Sequence, residues 1–232
     1  TCVTYGGKHL WQDYDCNDLV EAACKEHPDR LRGFGWINLG VDSADRVREL
    51  KDRGFTGLKF IYPRVAYNDE SVFDVYLEAE RLRMPCLFHL GPVLANKGKT
   101  PRFQIDADRM TAGRLDLIAR ECPDLRIIGA HLGWANHNEA WALARQHPNL
   151  YLDTSGNGYL RAQPREFFAY SILGWRETFH KFVFGTDQYY RGWDGEIATT
   201  LNMLDNVWRV DQETKKRILY DNLAGILEWA DS

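Results

Sequence analysis

The chain has 232 residues, of which 44% are hydrophobic and 13% aromatic with eight Trp, which supplies a large core and is the wrong composition for disorder. A formal net charge of -4, with no Lys/Arg run longer than Lys215-Lys216-Arg217, removes the basic footprint that a nucleic-acid binder needs. No apolar run reaches the roughly 18 residues that span a bilayer, and the five cysteines lack the CxxC or finger spacing of a structural zinc site or a disulfide framework.

The sequence opens at Thr1 on Cys-Val-Thr-Tyr-Gly-Gly, the pattern of a strand running out into a loop. Asn17 then reads as the cap of a helix through Asp18 to about His27, with Val20, Ala23, Cys24 and His27 at helical spacing on one face and Pro28 as the stop. Gly33 to Leu39 reads as a strand. Asp42 or Ser43 starts a helix that turns Val47 and Leu50 inward and ends at Gly54. The strand Gly57 to Ile61 follows, and a helix over about Asp69 to Arg83 carries Val72, Val75, Tyr76, Ala79 and Leu82 on one stripe.

The apolar run Met84 to Gly91 ends in His89-Leu90-Gly91. A long polar connection, 92–109, suits either a lid or an unstructured loop. A helix at 111–122 leads to a second histidine strand, Leu125 to Leu132, which contains His131-Leu132-Gly133. A helix at 137–147 and the strand Leu150 to Asp153 come next, then an irregular stretch with a helix near 164–173 and the strand Phe182 to Asp187. Helices near 194–206 and 211–229 close the chain.

Near-continuously apolar strands alternating with amphipathic helices predict a parallel sheet covered on both faces. Residues 1–232 read as one domain. Six full strand-helix units plus the Thr1–Tyr5 strand end point to a (β/α)8 TIM-like barrel whose first strand, and most of its second, would lie upstream of Thr1. The alternative is an open doubly wound sheet, but no Gly-rich phosphate loop follows any strand.

In parallel barrels the working residues sit at the C-terminal strand ends. His89, His131 and Asp187 all close buried runs, and buried ionisable groups are costly unless they have a partner or a task. One such histidine alone would commonly be a packed structural residue; three at one mouth point to chemistry. Imidazoles with a carboxylate suit zinc or a similar divalent ion that keeps an open position. Lys59 shares one side of its strand with Gly57 and Ile61, so it faces either the barrel mouth or a rim ion pair. Arg64 is either a carboxylate clamp or a solvated loop residue. Trp134, Asn136 and His137, with Tyr189 and Tyr190, either line a pocket or pack the loops. His147 and His180 precede strands, at the opposite end of the barrel.

The segments Gly54-Phe55-Thr56-Gly57-Leu58-Lys59, Met84 to Gly91, Ile128-Gly129-Ala130-His131-Leu132-Gly133, Pro148 to Gly156 and Val183-Phe184-Gly185-Thr186-Asp187 together resemble the amidohydrolase superfamily, in its amidohydrolase-2 branch. The resemblance runs over roughly residues 17 to 227. It implies a (β/α)8 barrel with a divalent metal, commonly zinc, at the mouth. It further implies that His89 and His131 are metal ligands, that His131 also serves in acid-base catalysis, and that Asp187 both binds metal and handles the proton of the attacking water. The family's first strand ends in a His-x-His pair that this sequence does not contain; the expectation is that the pair lies upstream of Thr1.

The expected activity is metal-dependent hydrolysis of an amide, ester or lactone bond in a small anionic molecule, with Lys59, Arg64, Trp134, Asn136 and Tyr189 as substrate-binding candidates. The alternatives are a non-oxidative decarboxylase of an aromatic or unsaturated acid and a non-catalytic small-molecule binding barrel. The expected partner is a small-molecule substrate, with no nucleic acid and no membrane, in a cytoplasmic protein with a homodimer as the default assembly.

Overall fold

The computed structural model of the chain describes residues 2–5, 16–93, 105–156, 162–164, 179–187 and 193–231. Seven strands lie in one sheet: β1 (Cys2–Tyr5), β2 (Leu31–Ile37), β3 (Gly57–Phe60), β4 (Cys86–Phe88), β5 (Ile127–Gly129), β6 (Leu150–Asp153) and β7 (Phe182–Val183). Each pairs in parallel with the next, so spatial order equals chain order. A doubly wound sheet reverses its strand order at a switch point. This sheet does not, and the architecture is that of a (β/α)8 barrel over seven strands. Among the described residues, β1 and β7 are its two edges.

The described helices are α1 (Cys16–Glu26), α2 (Ala44–Asp52), α3 (Phe73–Arg81), α4 (Leu115–Glu121), α5 (His137–Gln146), α6 (Trp193–Asn202), α7 (Gln212–Lys216) and α8 (Asn222–Asp231). Local chemistry explains several boundaries. Ser43 caps α2 by accepting from the Asp45 amide at 3.3 Å, and Gly54 ends the turn after it in a left-handed conformation with φ of 91°. Asp69 caps a short 3₁₀ turn, Glu70–Val72, by accepting from the Ser71 amide, and α3 continues from that turn. A π turn, Met203–Val207, extends α6, and a second, Arg217–Asp221, joins α7 to α8.

Asn17 departs from its expected role. It lies inside α1 rather than capping it, and it is fully buried. Its amide nitrogen donates to the Trp36 carbonyl at 3.1 Å while its oxygen accepts from the Trp36 amide at 2.7 Å. A short side chain that both donates and accepts can clip a helix to a strand as well as it caps one, and burial against β2 selected the clip.

Strand alternation sorts the side chains into two layers. Leu58, Phe60, Cys86, Phe88, Ile127, Leu150, Leu152 and Phe182 face the helices and join Val47, Leu50, Val75, Tyr76, Ile118, Trp141 and Trp208 in the main core. The opposite face carries Lys59, Leu87, Ile128 and Tyr151 in one register row, and Asp153 beside Val183 in the next. Ile128, Val183 and Ile226 of α8 form a smaller apolar cluster there, with Leu87, Tyr151 and Leu223 against it. Cys16, Cys24, Cys86 and Cys122 are free thiols.

No described helix is long and apolar enough to cross a membrane. The helix expected near 164–173, most of the 92–109 connection, Tyr189 and Tyr190 lie outside the described residues.

Candidate active site

The site grows from the C-terminal ends of β3 to β7. His89 is one residue past β4, two steps along from Leu87 and so on the inner face. Its backbone is held on both sides, since the amide donates to the Phe60 carbonyl at 2.9 Å and the carbonyl accepts from the Tyr67 hydroxyl at 2.9 Å. Tyr67 is itself fixed by an edge-on contact with Phe88, and Tyr76 donates to its carbonyl at 2.8 Å. The aromatic cluster behind β4 thus aims the imidazole.

His131 reaches the same point by a different route. β5 ends at Gly129, and the chain then passes through four consecutive left-handed residues, His131 (φ 63°), Leu132 (53°), Gly133 (84°) and Trp134 (50°). Each non-glycine residue there costs roughly 1–2 kcal/mol, so the turn persists only because its surroundings hold it. The Asp153 carboxylate accepts from the His131 amide at 2.9 Å, and the Trp141 indole donates to the Leu132 carbonyl at 3.0 Å. The result turns the His131 ring toward His89, with Nε2 of His131 at 3.1 Å from Nδ1 of His89.

Asp187 is not the end of a buried strand. β7 covers only Phe182–Val183, and Asp187 lies four residues beyond it, exposed and left-handed with φ of 52°. Its carboxylate comes near His131 on the Nδ1 side of the ring: a Cβ placed on Gly156 would sit 2.7 Å from His131 Nδ1 and 3.2 Å from Asp187 Oδ2. Gly156, with φ of 65°, keeps that point open.

Lys59 faces inward and is 1% exposed. Desolvation pulls its ammonium down to about 8, and the nearby carboxylates of Asp153 and Asp187 act against that shift. His89 is driven well below the ordinary histidine value by burial first, then by Lys59 and His131, so it is neutral at pH 7. Its Nε2 is buried without a hydrogen-bond partner. Arg64, just past β3, likewise has a buried Nε that meets no acceptor.

Trp134 is 36% exposed and stands edge-on to His131, with ring centroids 6.3 Å apart. Its ring lies over Gly91, where a Cβ would come within 2.6 Å of it. Asn136 is exposed at the start of α5. His147 pairs with Asp116 at 2.7 Å, as a structural histidine at the far end of the barrel does.

Two residues that sequence reasoning had not assigned belong here. Asp153, 8% exposed, accepts through one oxygen from the His131 amide, the Ser155 amide and the Ser155 hydroxyl, the last at 2.5 Å. Ser155 Oγ in turn lies 2.9 Å from His131 Nδ1. The signal was present, because Leu150 to Asp153 is an apolar run ending in a carboxylate like the others.

A divalent ion fits part of this arrangement. Two nitrogens bound to one tetrahedral ion at about 2.0–2.1 Å lie roughly 3.3 Å apart, close to the 3.1 Å between His89 Nδ1 and His131 Nε2. Among the described residues, no group of three or more His, Cys, Asp and Glu side chains is drawn together closely enough to hold an ion. The imidazole pair supplies one edge of a site.

Comparison with known proteins places the chain. No curated protein matches it. An uncharacterised TIM-barrel protein from Bordetella bronchiseptica superposes with a TM-score of 0.69 at 18% identity, over 93% of this chain and 73% of that one. A probable 2-pyrone-4,6-dicarboxylic acid hydrolase from Acinetobacter baumannii, solved with citric acid bound, gives 0.66 at 16% identity, over 97% and 82%. The 5-carboxyvanillate decarboxylase of Sphingomonas paucimobilis gives 0.64 at 18% identity, over 97% and 77%. At such identities the likeness shows the barrel fold. The sequence model of the amidohydrolases, second branch, matches residues 12–225, nearly the whole chain. The chain belongs to the amidohydrolase family and is an enzyme of that family, whose members include hydrolases and decarboxylases.

Proposed function

We propose that the protein hydrolyses an amide, ester or lactone bond of a small anionic molecule, with a divalent ion, zinc in the first instance, held by His89 and His131 and approached by Asp187. The observation that carries this reading is the imidazole pair at 3.1 Å, with the Asp187 carboxylate close to His131 beside Gly156. When bound, such an ion polarises a substrate carbonyl and acidifies a water.

The chain's own residues supply the rest. Neutral His89 offers a lone pair at physiological pH, because burial disfavours its protonated form. Asp187, exposed at the mouth, accepts the proton of the attacking water and returns it to the leaving group. Lys59 and Arg64 supply positive charge to an anionic substrate, the former from within the barrel and the latter through a buried N–H that lacks an acceptor. Trp134 forms an apolar wall beside His131.

A second reading, a non-oxidative decarboxylase, is favoured by one observation. The Trp134 ring over Gly91 makes a flat surface suited to a planar aromatic or unsaturated acid. Incubating the protein with candidate lactones and aromatic acids in ¹⁸O-labelled water separates the two. Label in the product without CO2 is expected; CO2 release without label overturns the hydrolase reading. In either reaction, Asp187→Asn should lower kcat by at least ~100-fold with an unchanged circular dichroism spectrum. Activity within a few fold of the unsubstituted protein removes Asp187 from the chemistry.

A further inference from the structure

We infer that Asp153 and Ser155 are positioning residues that fix His131 as its Nδ1–H tautomer, so that Nε2 is the unprotonated nitrogen presented to the site. This inference rests on His131 serving the site proposed above, but not on which reaction occurs there.

A carboxylate only accepts hydrogen bonds, and Asp153 Oδ1 lies 2.5 Å from Ser155 Oγ, so the single hydroxyl proton of Ser155 points to Asp153. A distance that short is typical of a hydroxyl donating to a charged acceptor. Ser155 Oγ then has only lone pairs left for His131 Nδ1, 2.9 Å away. The Ser155 carbonyl oxygen also faces Nδ1, at 3.4 Å, and it too accepts only. Both oxygens therefore call for a hydrogen on Nδ1. A neutral imidazole carries one proton, which leaves Nε2 bare toward His89 Nδ1 at 3.1 Å.

The same carboxylate oxygen also accepts from the His131 and Ser155 amides, both at 2.9 Å, and so ties the strained turn after β5 to the end of β6. Gly156 packs closely against the ring, since a Cβ there would lie 2.7 Å from Nδ1. Tautomer and backbone of His131 are thus set by Asp153 and Ser155, with Gly156 packed against the ring, and none of the three has to touch substrate. Partners that orient a ligating histidine typically matter 10–100-fold in metal affinity or activity.

The test reads the tautomer directly. The whole chain is labelled with ¹⁵N-histidine, stripped of metal by chelation so that an ion cannot set the tautomer, and its imidazoles are recorded by long-range ¹H–¹⁵N correlation at neutral pH. The His131 signals are assigned by their loss in His131→Gln. A pyrrole-type Nδ1 and a pyridine-type Nε2 are expected. In Ser155→Ala the population should shift toward Nε2–H, Ser155→Thr should restore it through its hydroxyl, and zinc affinity should fall roughly 10–100-fold in Asp153→Asn. An Nε2–H tautomer in the unsubstituted protein overturns the inference even if no variant folds. A Ser155→Ala protein that keeps a pure Nδ1–H signal overturns the role of Ser155. Neither result depends on activity, so failure here is distinct from failure of the proposed reaction.

Discussion

Lys59 holds its ammonium inside the barrel, buried from water. Desolvation brings Lys59 down to about 8 from an ordinary value near 10.5, and the opposing pull of Asp153 and Asp187 does not restore it. Below pH 8 the folded protein bears the whole penalty, on the order of 3 kcal/mol at about 1.36 kcal/mol per unit. Between about pH 8 and 10.5 the unfolded chain holds a proton that the folded chain has released, so this group makes stability rise with pH across that window. Lys59→Met, which keeps the stem and removes the charge, should raise Tm at pH 7 by several degrees while lowering turnover. A lower Tm would mean that the two carboxylates contribute more than burial costs. Period-two spacing left Lys59 either inward or at the rim; only the packing of neighbouring strands could decide. Asp153 was as legible as His89, a carboxylate closing an apolar strand. Its role was not, because its partners are a backbone amide 22 residues away and a hydroxyl two residues on.

At the scale of elements, the turn from β5 into α5 carries the site. Its histidine could be read from His131-Leu132-Gly133, but the strand expected through Leu132 stops at Gly129, and four left-handed residues in succession could not be read, since Leu132 and Trp134 have no local reason to adopt that conformation. Tertiary anchors impose it, among them the Trp141 indole and the close approach of Gly133 to α5. A Cβ on Gly133 would lie 2.3 Å from that of Ala140. Gly133→Ala should destabilise the fold by about 2–5 kcal/mol in chemical denaturation, combining backbone strain with overpacking. Adding Ala140→Gly should recover part of that loss, the part due to the clash, with a coupling of at least about 1 kcal/mol. Strict additivity of the two changes would show that the contact is relieved in some other way. Asn17 teaches a similar lesson: a residue that looked like a helix cap was recruited by a strand 19 residues away.

For the molecule as a whole, the alternation of apolar strands and amphipathic helices was enough to predict a parallel sheet, and the lack of a Gly-rich phosphate loop favoured the strand order of a barrel over that of a doubly wound sheet. Seven strands in chain order agree with that reading, and the family match over residues 12–225 agrees with the motifs. The placement of Asp187 was less accessible, because the run that suggested a strand through it stops after Val183. Function at this scale depends on whether the mouth of the barrel binds a divalent ion through the two imidazoles that β4 and β5 deliver. The most direct measurement is anomalous diffraction at the zinc absorption edge from crystals of the whole chain grown with zinc. The account predicts a peak within bonding distance of both His89 Nδ1 and His131 Nε2, lost in His131→Ala. A zinc-replete crystal with no peak between those two nitrogens would contradict it.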